Sequence, residues 1–190
     1  MYAVAVDPYC YPGSTVLRNR PGLNDQVALD RFEAVATANR FLEPMPAGRW
    51  GERHFRAVHR HIFQDVYAWA GRSRTVRIGK GGSVFCYPEH IDAELKRIFS
   101  GLRQAGNLRG FDRIGFIAGA AHLLAELNAV HAFRDGNGRA QLAFMALLAG
   151  QAGHPLDLAR LDPQTFLSAM IASFRGDERP LTEQLSDMIV

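Results

Sequence analysis

Between His131 and Leu142 the chain reads HAFRDGNGRAQL. One short window thus holds an imidazole, a carboxylate, a Gly-Asn-Gly turn and a cation. Gly136 and Gly138 allow close backbone approach and dihedrals closed to other residues. The turn runs into GRAQLAFMALLAG, an apolar segment of helical character. The first N–H groups of that helix point outward without intrahelical partners. Aligned peptide dipoles make such a start attractive to anions, phosphate in particular. Arg139 lies in this first turn, where a cation opposes the dipole by about 0.3–1 kcal/mol. The placement makes sense if an anion sits between them. Asp135 is a hard oxygen ligand beside the turn, of the kind that magnesium takes together with substrate phosphates. His131 can accept a proton from an attacking hydroxyl near neutral pH. Base, metal ligand, amide cradle and arginine are the parts of a phosphate-transfer site. Singly, each has a structural reading: His131 as a helix-end residue, Asp135 as a cap, Arg139 as the partner of a surface carboxylate. Those readings leave the ordered combination unexplained.

The elements that must carry this loop are two strongly apolar, alanine-rich helices. One spans Phe111 to Val130 and the other Gly138 to Gly150, with a composition suited to burial on most sides. A turn-rich arm over residues 1–24, punctuated by Pro12-Gly13 and Pro21-Gly22, precedes a first helix that Asn24 or Asp25 can cap. Val27, Leu29, Phe32, Val35 and Ala36 mark its apolar stripe. Glu52 to Ala70 reads as a second helix, with Phe55, Val58, Ile62, Phe63, Val66 and Trp69 at helical spacing. GRSRTVRIGKGGSVFCYP is different: Thr75 to Ile78 alternates, Lys80-Gly81-Gly82 is a turn, and Val84 to Tyr87 resumes β-favouring residues, so a hairpin is expected over 74–87. Its arginines read as a solvated edge. Further helices are expected from Glu89 or Ile91 to about Gln104, over Asp162–Phe174 and over Pro180–Ile189. The expected fold class is all-α, a single domain over 1–190 with one inserted β-hairpin.

Composition narrows the class. With 190 residues, 47% hydrophobic and 22% charged, the chain can bury a real core and is not disordered. Its net charge of +3 favours approach to anionic partners in general and specifies none. Two isolated cysteines, Cys10 and Cys86, make no disulfide framework, which points to a reducing compartment. MYAVAVDPYC lacks the basic start and apolar core of a signal peptide, and no stretch approaches the ~18 apolar residues of a membrane span. A cytoplasmic protein is expected. His54, His59 and His61 of HFRAVHRH are not three or four residues apart from one another, so they make no shared metal face.

The window His131-Ala132-Phe133-Arg134-Asp135-Gly136-Asn137-Gly138-Arg139-Ala140-Gln141-Leu142 resembles the signature of Fic-domain proteins. That pattern is His-Pro-Phe, one residue, Asp or Glu, Gly-Asn-Gly-Arg, two residues, then a second Arg. The flanking stretches YPGSTVLRN, FQDVYAWAGRSRTVRI and GGSVFCYP are similar too, closest to stand-alone bacterial Fic toxins. The resemblance implies a Fic-like helical bundle with a hairpin flap. It also implies protein adenylylation: AMP passes from ATP to a Ser, Thr or Tyr hydroxyl of a target protein, releasing pyrophosphate. His131 would be the general base and Asp135 would hold Mg²⁺. Gly136, Asn137 and Gly138 would form the anion hole, with Asn137 on the α-phosphate, and Arg139 would contact the β-phosphate region. Phe133 would anchor the loop. Ile78, Lys80, Gly81, Gly82 and Phe85 would belong to the flap that aligns a target segment by strand addition. The implied partners are a target protein, a bacterial type II topoisomerase in related toxins, and a small antitoxin carrying an inhibitory helix. Neither a membrane nor direct nucleic-acid contact is implied.

Two positions depart from the pattern. Ala132 replaces proline, a mild loosening. Leu142 replaces the second arginine, which in the family grips the γ-phosphate and meets the inhibitory glutamate. The inhibitory pattern of Ser or Thr, three residues, Glu, then Gly or Asn has no match here; Ser14 to Asn19 carries Arg18 where the acid belongs. Two other readings follow from Leu142. A Doc-type branch also lacks that arginine and phosphorylates its target, although its loop reads Ala-Asn-Lys where this chain keeps Gly-Asn-Gly. Alternatively the chain is a weakened nucleotide- or protein-binding module, since losing a bidentate phosphate contact costs about 1.5–3 kcal/mol.

Overall fold

The computed structural model describes residues 7–80 and 83–190; the side chains of Lys80 and Ser83 also lie outside that description. Gly81 and Gly82, placed in the turn by sequence, fall outside the described residues. Among the described residues seven α-helices follow in chain order: α1 Gln26–Phe41, α2 Glu52–Phe63, α3 Ile91–Gln104, α4 Arg113–Val130, α5 Asn137–Ala152, α6 Pro163–Phe174 and α7 Arg179–Met188. No helix among the described residues is long and apolar enough to cross a membrane.

Helix starts follow local chemistry. Asp25 caps α1 through the Ala28 N–H, Asp112 caps α4 through the Gly115 N–H, and Asp162 caps α6 through the Thr165 N–H. The centre of the bundle is α4 and α5, packed against each other and against α2, α3, α6 and α7. Their inward faces carry Phe116, Ala120, Leu124, Leu127, Phe144, Met145 and Leu148, all essentially inaccessible. Alanines in α4 and α5 let the two helices approach closely, while Phe144 of α5 meets Phe55 of α2 and Phe99 of α3 edge to face.

Three expectations are corrected. The second helix stops at Phe63 rather than Ala70. Beyond it, Val66 and Tyr67 both donate their N–H to the Phe63 carbonyl and the chain folds back, with Gly71 at φ +79° where a Cβ would strike the Arg56 carbonyl at 2.8 Å. The turn brings residue 74 beneath the His131 loop. The stripe of α1 is only partly a core face: Leu29 is buried, but Val27, Phe32 and Val35 are exposed, because α1 lies along α2 and meets α5 through the Glu33 side chain. Finally, the strands inside 74–87 are short. Gly79–Lys80 (β1) pairs antiparallel with Ser83–Val84 (β2), with Gly79 opposite Val84. Outside that ladder the two legs turn to the end of α4: the Arg74 N–H donates to the Ala132 carbonyl and the Cys86 N–H to the Ala129 carbonyl.

Candidate active site

The loop runs from the C-terminus of α4 to the N-terminus of α5. His131 ends α4 in the left-handed region (φ 47°, ψ 60°), its N–H bonded to the Leu127 carbonyl at 3.0 Å. Its half-buried ring stacks on Phe85, with centroids 3.9 Å apart and planes 16° from parallel. The segment after the short strands therefore lies directly on the imidazole.

Phe133 fixes the next turn. Its ring is fully buried, stacked on His59 at 3.8 Å and packed by Phe55 at 5.2 Å. Asn137 clasps the same residue: its Oδ1 accepts the Phe133 N–H at 2.9 Å, and its Nδ2 donates to the Phe133 carbonyl at 2.8 Å. The Asn137 side chain is thus a brace inside the loop. What it presents at the helix start is backbone.

Gly136 precedes α5 at φ +76°, and no side chain caps the helix there. A Cβ at 136 would lie 2.3 Å from the Phe63 ring, so glycine is required by both dihedral and packing. Gly138 differs: a Cβ there would meet nothing within 4 Å, leaving open ground over the first turn of α5. Asp135 is exposed, and its Oδ1 accepts the Gly136 N–H at 2.5 Å.

Arg139 has a carboxylate partner, as one of its two sequence readings allows, from a residue that the sequence did not single out. Its NH2 meets Glu33 Oε1 of α1 at 2.6 Å, and its guanidinium lies 4.5 Å over the Phe63 ring. The second oxygen of Glu33 accepts a short hydrogen bond from the Tyr67 hydroxyl. Burial and that carboxylate together push the Tyr67 hydroxyl well above the usual tyrosine range. Arg134 is tied to the N-terminal arm through Asp7 Oδ2 at 2.7 Å. Leu142 is half-buried against the core, one turn from Arg139.

The three histidines of α2 each take a separate backbone carbonyl: His54 that of Pro46, His59 that of Asp135, His61 that of Arg40. Their Nε2 atoms are thus engaged by three different backbone segments. His59 is part of the loop's foundation. Its Nδ1 accepts the Gly71 N–H at 2.9 Å and its Nε2 donates to the Asp135 carbonyl at 2.9 Å, which defines a neutral ring. Burial lowers its pKa from 6.5 to about 4. The unfolded chain takes up that proton below pH 6.5, whereas the folded chain resists it until about pH 4. The stabilisation is therefore complete above pH 6.5 and is lost as pH falls toward 4, on the order of 3 kcal/mol in all. Urea denaturation at pH 7 and pH 4.5 should show this decline in the wild type and a flatter one in His59→Gln. Equal declines would refute the assignment.

Arg74 corrects the solvated-edge reading of its segment. It is 1% exposed. Its Nε donates to the His131 carbonyl at 2.8 Å, NH1 to Val76 at 2.7 Å, and NH2 to Cys86 at 2.5 Å and Val130 at 3.2 Å. Burial pushes the guanidinium's pKa below its ordinary value. The last carbonyls of a helix welcome a cation, which explains how one can be held here.

These features coincide with a known family. The Fic/DOC family model matches residues 50–149, from the start of α2 through most of α5. The chain belongs to the Fic/DOC family. A probable protein adenylyltransferase of Sinorhizobium fredii is 48% identical over 189 residues, covering 99% of this chain and 98% of that one. A probable protein adenylyltransferase of Escherichia coli K12 is 34% identical over 173 residues, covering 90% and 86%. Among solved structures, the Bartonella tribocorum effector BepC, crystallised with bound AMPPNP, superposes with a TM-score of 0.86 at 26% identity, covering 96% of each chain.

Proposed function

We propose that the His131–Leu142 segment of this Fic/DOC protein moves AMP from ATP to a hydroxyl of a target protein. The chain is a protein adenylyltransferase, as its relatives of nearly equal length are named. The observation that carries the residue assignment is the uncapped start of α5 opening onto clear space over Gly138, with Arg139 and Asp135 beside it and His131 at the other end of the same loop. Nucleotide phosphates fit the amides of the first turn. His131 takes the proton from the target hydroxyl, whose oxygen bonds to the α-phosphorus as the bond to the β-phosphate oxygen breaks and pyrophosphate leaves.

Asp135 fits a Mg²⁺ ligand. It is exposed, and among the described residues no group of three His, Cys, Asp or Glu could hold a metal alone. A cation bound there would draw its other oxygens from the nucleotide and would neutralise phosphate charge. The segment around β1 and β2 acts as a flap: Ile78, Lys80, Gly81, Gly82 and Phe85 receive a target strand, with Phe85 holding it near His131. The target class is a bacterial type II topoisomerase, in the cytoplasm, and a small antitoxin with an inhibitory helix restrains the enzyme.

Leu142 favours one other reading, phosphoryl transfer with the nucleotide inverted, because a half-buried leucine offers no grip on a γ-phosphate. Incubating bacterial lysate with the purified chain, Mg²⁺ and either α- or γ-labelled ATP separates the two. Protein labelled from the α position is expected. Label entering protein only from the γ position would replace adenylylation by phosphorylation.

A further inference from the structure

Arg74 sits where four segments meet. Its backbone N–H holds the Ala132 carbonyl at 2.9 Å, and its guanidinium holds the carbonyls of Val130 and His131 on one side and of Val76 and Cys86 on the other. Among the described residues all these partners are backbone carbonyls. Val76 and Cys86 flank the two legs of the 74–87 segment. Val130, His131 and Ala132 are the end of α4 and the turn that sets the imidazole's direction. A second tie joins the same bodies, from the Cys86 N–H to the Ala129 carbonyl at 3.1 Å, and the Phe85 ring rests on His131.

We infer that Arg74 is a positioning residue that locks the His131 turn to both legs of the flap, so that the base and a docked target strand keep a fixed separation. The inference rests on the proposed function of His131 and of the flap. Only a guanidinium can do this. Its planar fork directs donors along several lines at once, whereas a lysine ammonium is one point charge on a flexible stem. His131 also holds a left-handed backbone conformation that α-helical continuation would not give, and Arg74 Nε bonds the carbonyl of that very residue. A misplacement of about 1 Å between reacting groups can cost on the order of 10²-fold in rate, and freeing the two bodies from each other invites a shift of that size.

The test compares wild type, Arg74→Lys and the volume-keeping Arg74→Met in three measurements: melting temperature, affinity for AMPPNP, and α-label transfer from ATP to protein in bacterial lysate. The expected result is folded variants with AMPPNP affinity within about twofold of wild type and protein transfer reduced on the order of 10²-fold. Arg74→Met should transfer no better than Arg74→Lys. Hydrogen exchange should accelerate together in residues 76–80, 83–86 and 129–133, because one tie serves both. Transfer within twofold of wild type in both variants overturns the inference. So does a parallel loss of AMPPNP affinity and transfer, or failure of both variants to fold, since either would make Arg74 a support of the fold at large. A wild type that transfers no α-label, or a His131 variant that transfers normally, would instead refute the underlying functional reading.

Discussion

His131→Asn is expected to lower AMP transfer by about 10²–10⁴-fold, the usual worth of a positioned general base, while leaving the melting temperature nearly unchanged. Asparagine is the informative replacement. The backbone at 131 is left-handed (φ 47°), a region that asparagine tolerates and alanine does not. An alanine variant would confound lost chemistry with a strained turn. The histidine ring is half-buried and contributes stacking on Phe85, so some local loosening will follow. Label transfer from α-labelled ATP to protein, measured beside a thermal melt, is the check. Activity within tenfold of wild type would move the base elsewhere.

The second large effect lies in the core. Phe133→Ala should destabilise the fold by about 3–5 kcal/mol, the cost of emptying a fully buried aromatic site. Phe133 is inaccessible, stacked on His59 and packed by Phe55, and the Asn137 side chain clasps its backbone on both sides. The vacated volume cannot be filled easily, because its walls are rings held by their own partners. His59 is fixed by Gly71 and Asp135, and Phe55 by Phe99 and Phe144. Urea midpoints of the two proteins give the comparison, and a loss below 1 kcal/mol would show that the loop is anchored by its hydrogen bonds instead.

The parts of this molecule that could be read from sequence are those whose information is local. The His131 window is contiguous, so its imidazole, carboxylate, glycines and arginine announce themselves together. The helices α4 and α5 are apolar over more than three turns, and Asp25, one of the two cap candidates, caps α1. What escaped depends on distant partners. Arg74 looks like any arginine in an alternating polar run; only the fold shows that α4 ends above it and that its donors meet carbonyls. Arg139 admits two readings from sequence, an anion or a carboxylate as its partner; the fold supplies a carboxylate from α1, and nothing near Glu33 in the sequence points to that pairing. The α1 stripe misled for the complementary reason. Val27 and Val35 are apolar at helical spacing, but no other helix covers them.

The tethers of the His131 loop bear on when the chain becomes able to work. Arg134 reaches Asp7 across 127 positions, Arg139 reaches Glu33 across 106, Asp135 meets His59 across 76, and His131 meets Arg74 across 57. Each partner is synthesised earlier and waits. Contacts of such long sequence separation form only after the intervening chain has closed on itself, at the entropic cost of a long loop. The helices can begin to form from local signals as they leave the ribosome, whereas the loop can be stiffened only after α4 is complete and its end has docked on segments made much earlier. A nascent or truncated chain that stops short of His131 holds the tethering partners without the loop that they fix. On the proposed function, the ability to transfer a nucleotide is therefore acquired late, as these long-range contacts close.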